Sequence, residues 1–234
     1  MIIVTGVSRG FGKAIAEYFL AKGDPVLGIG RTCTIEHTNF SFIPCDLSDL
    51  QAVKELSFQE LEGNVTLVNN AGILGNINRL AELEDSDIDR VLTVNVSAVA
   101  VLTQKVYQAV VHKDNFTLVN ISSGAAKRAI PSWSSYCASK AALNMLTETF
   151  FEEEKEKGNH PRVLIVAPGV IDTGMQETIR SASPECFSSH HRFVSLKENN
   201  ELFSPAEAAK RLGQLLESNF SDDLHVDLRA VNAE

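Results

Sequence analysis

The sequence predicts an α/β fold: a single domain over residues 1–234, built on a doubly wound parallel sheet of about seven strands with helices on both faces. Three observations carry that expectation. Short β-branched runs alternate with segments of helical period from one end of the chain to the other. A glycine-rich turn joins the first such run to the first such segment. No repeat, low-complexity tract or linker divides the 234 residues, a length near the upper limit for one hydrophobic core.

Ile2–Thr5 is a β-branched run ended by glycine, a first buried strand. From Gly10 to Lys22 the apolar positions Phe11, Ile15, Ala16, Phe19 and Leu20 recur at helical spacing until Gly23 stops them. Pro25–Gly30 reads as a second strand and Phe40–Ile43 as a third. Only about ten residues separate these two, fewer than a parallel crossover normally needs, so that crossover is expected to hold one helical turn or none. Leu50–Leu61 reads as a helix entered through the Ser48-Asp49 cap region, and Val65–Asn69 as the fourth strand. A long helix is expected over Ser86–His112, with acidic residues at its start where the dipole favours them. Phe116–Ile121 and Val163–Ala167 read as the fifth and sixth strands, on either side of a helix over Ser134–Lys157. Thr173–Phe203 reads as irregular. Ala206–Ser218 reads as a helix with Ser204 as its cap and Pro205 at its first position, and Leu224–Leu228 as a last strand.

Composition bounds the function. With 44% apolar and 22% charged residues the chain is an ordinary globular one, and its net charge of −9 argues against nucleic acid as a partner. The four cysteines, Cys33, Cys45, Cys137 and Cys186, have no CxxC spacing and read as free thiols of a reducing cytoplasm. Met1 leads at once into a strand, which reads as a chain without a secretory leader, and no apolar run reaches membrane-spanning length.

The turn Thr5-Gly6-Val7-Ser8-Arg9-Gly10-Phe11-Gly12 has the chemistry of a phosphate cradle. Its glycines permit a tight turn and close backbone approach, and the helix behind them offers amide donors and a positive dipole end. The spacing is GxxxGxG rather than GxGxxG. The second strand ends Gly30-Arg31-Thr32 with no carboxylate for a ribose 2′-hydroxyl, and Arg9 sits inside the turn. Two guanidinium forks with no acid beside them favour a 2′-phosphate, hence NADP(H) over NAD(H).

The stretch ISSGAAKRAIPSWSSYCASK holds a hydroxyl at Ser123, a phenol at Tyr136 and an ammonium at Lys140. Residues four apart on a helix share a face, so Lys140 is placed beneath the Tyr136 ring, with the strand-end Ser123 beside them. A neighbouring ammonium and the positive charge of an oxidised nicotinamide favour the phenolate and are expected to bring the phenol down from its ordinary pKa near 10. That set is a proton-transfer site.

TGVSRGFG, NNAG at Asn69–Gly72, Asn95, Ser123, YCASK at Tyr136–Lys140 and Pro168-Gly169 stand in the order of the short-chain dehydrogenase/reductase family, which the whole chain resembles. The resemblance implies a Rossmann-type domain with the nicotinamide at the carboxyl ends of the strands. It implies Tyr136 as general acid in reduction, Lys140 as the group that tunes it and binds the nicotinamide ribose, and Ser123 as the donor to the substrate oxygen. It implies Asn95 as the anchor of a water chain to Lys140. Asp46 and Leu47 would flank the adenine; Asn69, Ala71 and Gly72 would line the cofactor cleft; Pro168, Gly169, Ile171 and Thr173 would hold the nicotinamide. Residues 174–204 fall where this family keeps its substrate lid, and its members form dimers or tetramers through the helices near residues 86–112 and 134–157.

A narrower resemblance, through Trp133, VAPGVIDTGMQETIR, LKENNEL and HVDLR, is to sepiapterin reductases and benzil reductases. It places Asp227 where sepiapterin reductases anchor a pterin ring; as residues alone, Asp227 is equally a polar strand end. Trp133 and Met175 are core or substrate contacts. The expectation is therefore an NADPH-dependent reductase of a small-molecule ketone or vicinal dicarbonyl. Alternatives are a 3-oxoacyl-thioester reductase, a general alcohol dehydrogenase, or a non-catalytic NADP(H) sensor on the same fold. Cys186, His190 and His191 lack a fourth clustered ligand, so no metal is expected. Cys137 is expected to pack away from the site, and the run Glu152–Lys157 to form a solvated helix end.

Overall fold

The structure, a computed structural model, describes residues 1–218 and 224–231. Seven parallel strands lie in the order β3-β2-β1-β4-β5-β6-β7. They are β1 (Ile2–Thr5), β2 (Val26–Gly30), β3 (Phe40–Pro44), β4 (Val65–Asn69), β5 (Phe116–Ile121), β6 (Arg162–Ala167) and β7 (His225–Asp227). Buried strands such as β1, with Ile2, Ile3 and Val4 all inside, read as continuous apolar runs because helices cover both faces. One face packs α1 (Gly10–Ala21) and α8 (Pro205–Glu217); the other packs the long helices that follow β4 and β5. The strand order reverses between β1 and β4, and a crevice opens there at the carboxyl ends of the strands. Thr5 closes the floor of that crevice: its hydroxyl accepts the backbone N–H groups of Asn70 and Ala71 at 3.0 and 2.9 Å.

The segment between β2 and β3 contains no helix, as its length predicts. Four expectations needed correction. The helix after Asp49, α2, runs only over Leu50–Glu55; Asp49 caps it, but Leu61 leaves it to bridge Val110 in extended form. The long helix is split into α3 (Asp85–Leu92), a π-helical turn over Thr93–Ser97 and α4 (Ala98–Ala109). Asn95 sits in that turn, fully buried, and its amide leaves the helix to bond Ile73 and Ser139. The stretch from Thr173 to Phe203 is not irregular: it folds as α6 (Gly174–Arg180) and α7 (His190–Glu198). α6 buries only Gln176 and Ile179 and α7 only Phe193, too few positions to show a helical period in the sequence.

The charged run at the end of α5 (Ser134–Glu156) is also not uniformly solvated. Glu154 is 3% exposed and accepts from the Tyr107 hydroxyl, Lys157 and Asn159 at 2.5, 2.7 and 2.7 Å. Burial opposes its charge, yet those three donors together hold its carboxyl below the ordinary value.

Buried side-chain amides tie the sheet to its helices. Asn69 on β4 donates to Asn120 on β5 at 2.8 Å and to Thr103 on α4 at 3.0 Å. Asn120 donates to Thr147 on α5 at 2.7 Å. Replacing Asn120 with alanine strands the donors and acceptors on both sides, so Asn120→Ala should lower unfolding stability by about 1–3 kcal/mol in urea titrations. An unchanged denaturation midpoint would show that the ladder contributes nothing.

Candidate active site

The candidate reacting groups come from two neighbouring elements. β5 ends at Ile121, and Ser123 follows as the cap of a 3-10 turn, accepting from the Ala125 N–H at 3.1 Å. Tyr136 and Lys140 stand on the first two turns of α5. Ser132, just before that helix, is held at φ +73, a left-handed conformation unfavourable for serine. Its hydroxyl donates to the Cys186 carbonyl, which ties the start of α5 to the segment between α6 and α7. Lys140 is 4% exposed; its ammonium donates to the Ile121 carbonyl at 2.7 Å and lies 5.9 Å from the centre of the Tyr136 ring. The Ser123 hydroxyl is near enough to the Tyr136 phenol to favour its charged form.

Burial dominates the electrostatics of this set. It pushes the Tyr136 phenol up to about 12, against the partial lowering by Ser123. It pushes the Lys140 ammonium down to about 8. Among the protein's own groups, desolvation of the phenolate is the largest influence on Tyr136, and it acts upward. The phenol is held as a proton donor near neutral pH, beside a lysine that is still protonated there.

A cleft of about 950 Å³ opens onto these groups. From the glycine turn it is lined by Gly6, Ser8, Arg9, Gly10 and Phe11, and from the ends of β2 and β3 by Arg31, Asp46 and Leu47. Ala71 and Gly72 follow, then Ser123, Tyr136 and Lys140. Pro168, Gly169, Ile171 and Thr173 line it after β6, with Trp133, Met175 and Asp227 at the far end. Four expected residues stand behind its wall instead. Thr5 and Asn69 are spent on the hydrogen bonds that join β1, β4 and β5. Gly12 is packed so tightly that a Cβ there would stand 2.3 Å from the Asn70 amide nitrogen and 2.4 Å from the Gly6 carbonyl oxygen. Asn95 commits both amide hydrogens, to the Ile73 carbonyl at 2.8 Å and Ser139 at 3.0 Å, and its oxygen accepts the Ile73 N–H at 2.8 Å. Asn70, absent from the expected set, faces the cleft in place of Asn69.

The turn fits a dinucleotide pyrophosphate. Gly6 and Gly10 take left-handed φ values of +76 and +59. Among the described residues no side chain caps the first turn of α1, and no acidic residue occupies it, which leaves its amide donors for a ligand. Arg9 and Arg31 are exposed on the cleft wall. Asp46 is held below the ordinary carboxylate range by the Ser48 backbone N–H and hydroxyl, with the charges of Arg31 and Arg90 adding to this.

Trp133 is largely packed. Its ring stacks on Phe187 (5.4 Å between centroids, 12° between planes), tilts over Phe193 at 5.2 Å and meets Tyr136 edge-on at 5.7 Å. The two phenylalanines carry no motif, and only their approach to Trp133 in space identifies them. Asp227 is engaged by its own neighbour: Arg229 Nε donates to both carboxylate oxygens at 2.9 and 3.1 Å, Nη2 to one at 2.5 Å, and the Arg229 N–H to the other at 3.0 Å. Cys137 packs beside the Trp133 cluster. Among the described residues no group of three or more His, Cys, Asp or Glu is placed to hold a metal, and no helix is long and apolar enough to cross a membrane.

Comparison with known proteins agrees with this geometry. A benzil reductase ((S)-benzoin forming) of Bacillus subtilis (strain 168) is 35% identical over 239 residues, spanning 98% of this chain and 98% of that protein. A sepiapterin reductase of Meriones unguiculatus is 32% identical over 254 residues, spanning 96% and 94%. The crystal structure of the KRED1-Pglu enzyme superposes with a TM-score of 0.79 at 26% identity, covering 96% of this chain and 99% of the other. The family description "short chain dehydrogenase" matches residues 1–184. With a Rossmann-type sheet, a phosphate-cradling turn and a serine, tyrosine and lysine gathered at one cleft, the chain belongs to the short-chain dehydrogenase family, as an oxidoreductase of CH–OH and C=O groups that works with a nicotinamide cofactor.

Proposed function

We propose that the protein is an NADPH-dependent carbonyl reductase acting on a ketone or vicinal dicarbonyl of the benzil type. The observation that carries the reading is the convergence of Ser123, Tyr136 and Lys140 on one cleft with an uncapped glycine turn. Bound NADPH supplies the hydride. The protein's own residues do the rest. Ser123 donates a hydrogen bond to the substrate oxygen and favours the negative charge that develops there. Tyr136, protonated near neutral pH, gives that oxygen its proton. Lys140 places a positive charge against the phenol as the proton leaves, and its bond to Ile121 holds it there. Asn95 fixes the Ile73 backbone against α5 and so keeps the wall beside Lys140 in place. Arg9 and Arg31 hold the 2′-phosphate. Residues 174–204 form the substrate lid, closed over the site through Phe187, Phe193 and Trp133 and pinned at its base by the Ile171–Phe203 bridge.

The Arg229 grip on Asp227 favours a diketone over a pterin. An amino-pyrimidine ring needs a carboxylate free to accept its N–H groups, and here both oxygens are already accepting.

Three outcomes check this reading. Tyr136→Phe removes the proton donor while leaving cofactor binding, so kcat for benzil should fall at least about 100-fold with NADPH affinity retained; retained turnover refutes the role of Tyr136. Arg9→Ala with Arg31→Ala should raise KM for NADPH at least about tenfold and leave KM for NADH nearly unchanged, since only one cofactor carries the extra phosphate; equal effects on both would remove the 2′-phosphate assignment. The third concerns pH. Burial lowers the Lys140 pKa to about 8, so its ammonium is lost as pH rises through that value. Reduction rates measured against pH should decline above it, and a rate flat to pH values near a free lysine's pKa of about 10.4 contradicts the assignment.

A further inference from the structure

The protein carries a net charge of −9, yet its cleft is lined by eight Lys and Arg side chains against three carboxylates. The cations fall into separate groups. Arg9, Arg31 and Arg90 stand on the cofactor side, around the ends of β1 to β3, and Lys140 belongs to the reacting set. Arg229 is neutralised by Asp227. Three remain: Lys127 and Arg128 on the loop after Ser123, and Arg192 on α7. All three are exposed, and among the described residues no carboxylate lies within ion-pairing distance of any of them.

Their position relates them to the substrate rather than to the cofactor phosphates. Arg128 Nη2 lies 3.6 Å from the point where a Cβ on Gly124 would stand, and Gly124 follows Ser123 directly. The Arg128 carbonyl oxygen takes a 3.7 Å contact from the thiol of Cys137, the residue after Tyr136. The loop that bears this guanidinium therefore leaves from Ser123 and touches the residue after Tyr136. It leaves the end of β5, which β4 separates from β1 and its phosphate-cradling turn, a lateral distance of about 10 Å at the usual strand spacing. Arg192 approaches from the lid, its guanidinium 5.7 Å from the centre of the Phe193 ring that packs on Trp133. Cations drawn together at a cleft mouth raise the local concentration of an anionic ligand, and a guanidinium fork matches a carboxylate in two hydrogen bonds.

We propose that the natural substrate is a ketone bearing a carboxylate, and that Arg128 binds this group, with Lys127 and Arg192 adding to the field at the mouth. The inference rests on the carbonyl-reductase reading and names the substrate class of that site. Benzil-like diketones then enter as uncharged analogues that share the carbonyl but not the anion.

The test compares phenylglyoxylate with its uncharged methyl ester, following NADPH oxidation by wild type, Arg128→Ala and Arg128→Lys. The expected result is a ratio of kcat/KM, anion over ester, that falls at least about tenfold in Arg128→Ala, mainly through KM for the anion, and is partly restored by lysine. The KM for the anion should also rise with added salt in wild type while that for the ester does not. A ratio unchanged by Arg128→Ala, or an anion KM indifferent to salt, overturns the proposal. A calorimetric titration of the NADP-loaded protein with benzoate, which does not react, separates the two readings. If neither ketone is reduced but benzoate binds wild type and not Arg128→Ala, the anion site stands and the reductase reading fails. If benzoate binds neither protein, the anion site fails whatever is reduced.

Discussion

The buried hydrogen-bond ladder from Asn69 through Asn120 to Thr147 is the constraint on which the site depends. An unpaired amide in a low-dielectric core costs more than a made hydrogen bond returns, so a side chain of this kind admits few arrangements of its neighbours. β4, β5, α4 and α5 are brought into one register by it. Ser122, next to the reacting serine, adds a bond to Asn144 on α5, and Lys140 adds one to Ile121 on β5. The distance between the end of β5 and the first turns of α5 is thereby set twice, by neutral amides behind and by an ammonium in front. Ser123 and Tyr136 meet because of that double tie.

Polarity is distributed unevenly around the reacting groups. Behind them lie hydrogen-bonded amides, of which the Asn69 side-chain oxygen alone lacks a partner among the described residues, and a lysine bonded to a carbonyl; above them lies an aromatic stack built from Trp133, Phe187 and Phe193. The stack excludes water from one side of Tyr136, and that exclusion holds the phenol protonated. Charge is kept at the rim. Asp172 collects Lys197 and Arg180 at the base of the α6–α7 segment, whereas the loop after Ser123 keeps its cations unpaired. A chain whose surface is acidic overall thus turns a basic face inward at its cleft.

Most of the sheet was legible before any coordinates. Strands such as Val65–Asn69 and Phe116–Ile121 are apolar runs of the right length with polar stops, and the trimmed β2–β3 crossover follows from a residue count. The glycine turn and the offsets of Ser123, Tyr136 and Lys140 were legible for the same reason, since their chemistry depends on positions close together in the chain. Asn95 was legible as an anomaly, because asparagine is a poor residue for a helix interior, but the π-helical turn that accommodates it was not. The helices α6 and α7 escape a pattern reading because each is short and buries only one or two residues. Asn69 was assigned to the cleft wall by its motif, and its neighbour Asn70 faces there instead.

The sequence by itself determined the fold class, the glycine-rich turn and the candidate set of Ser123, Tyr136 and Lys140, because hydrophobic period, turn chemistry and short spacings are properties of adjacent residues. The tertiary structure alone decided the burial that pushes Tyr136 up and Lys140 down, the burial of Glu154 in a charged run, the grip of Arg229 on Asp227 and the placing of Arg128 beside Gly124. Each of these depends on desolvation or on the distance between charges. Both are set by which residues the fold brings together in space and how much water it leaves around them.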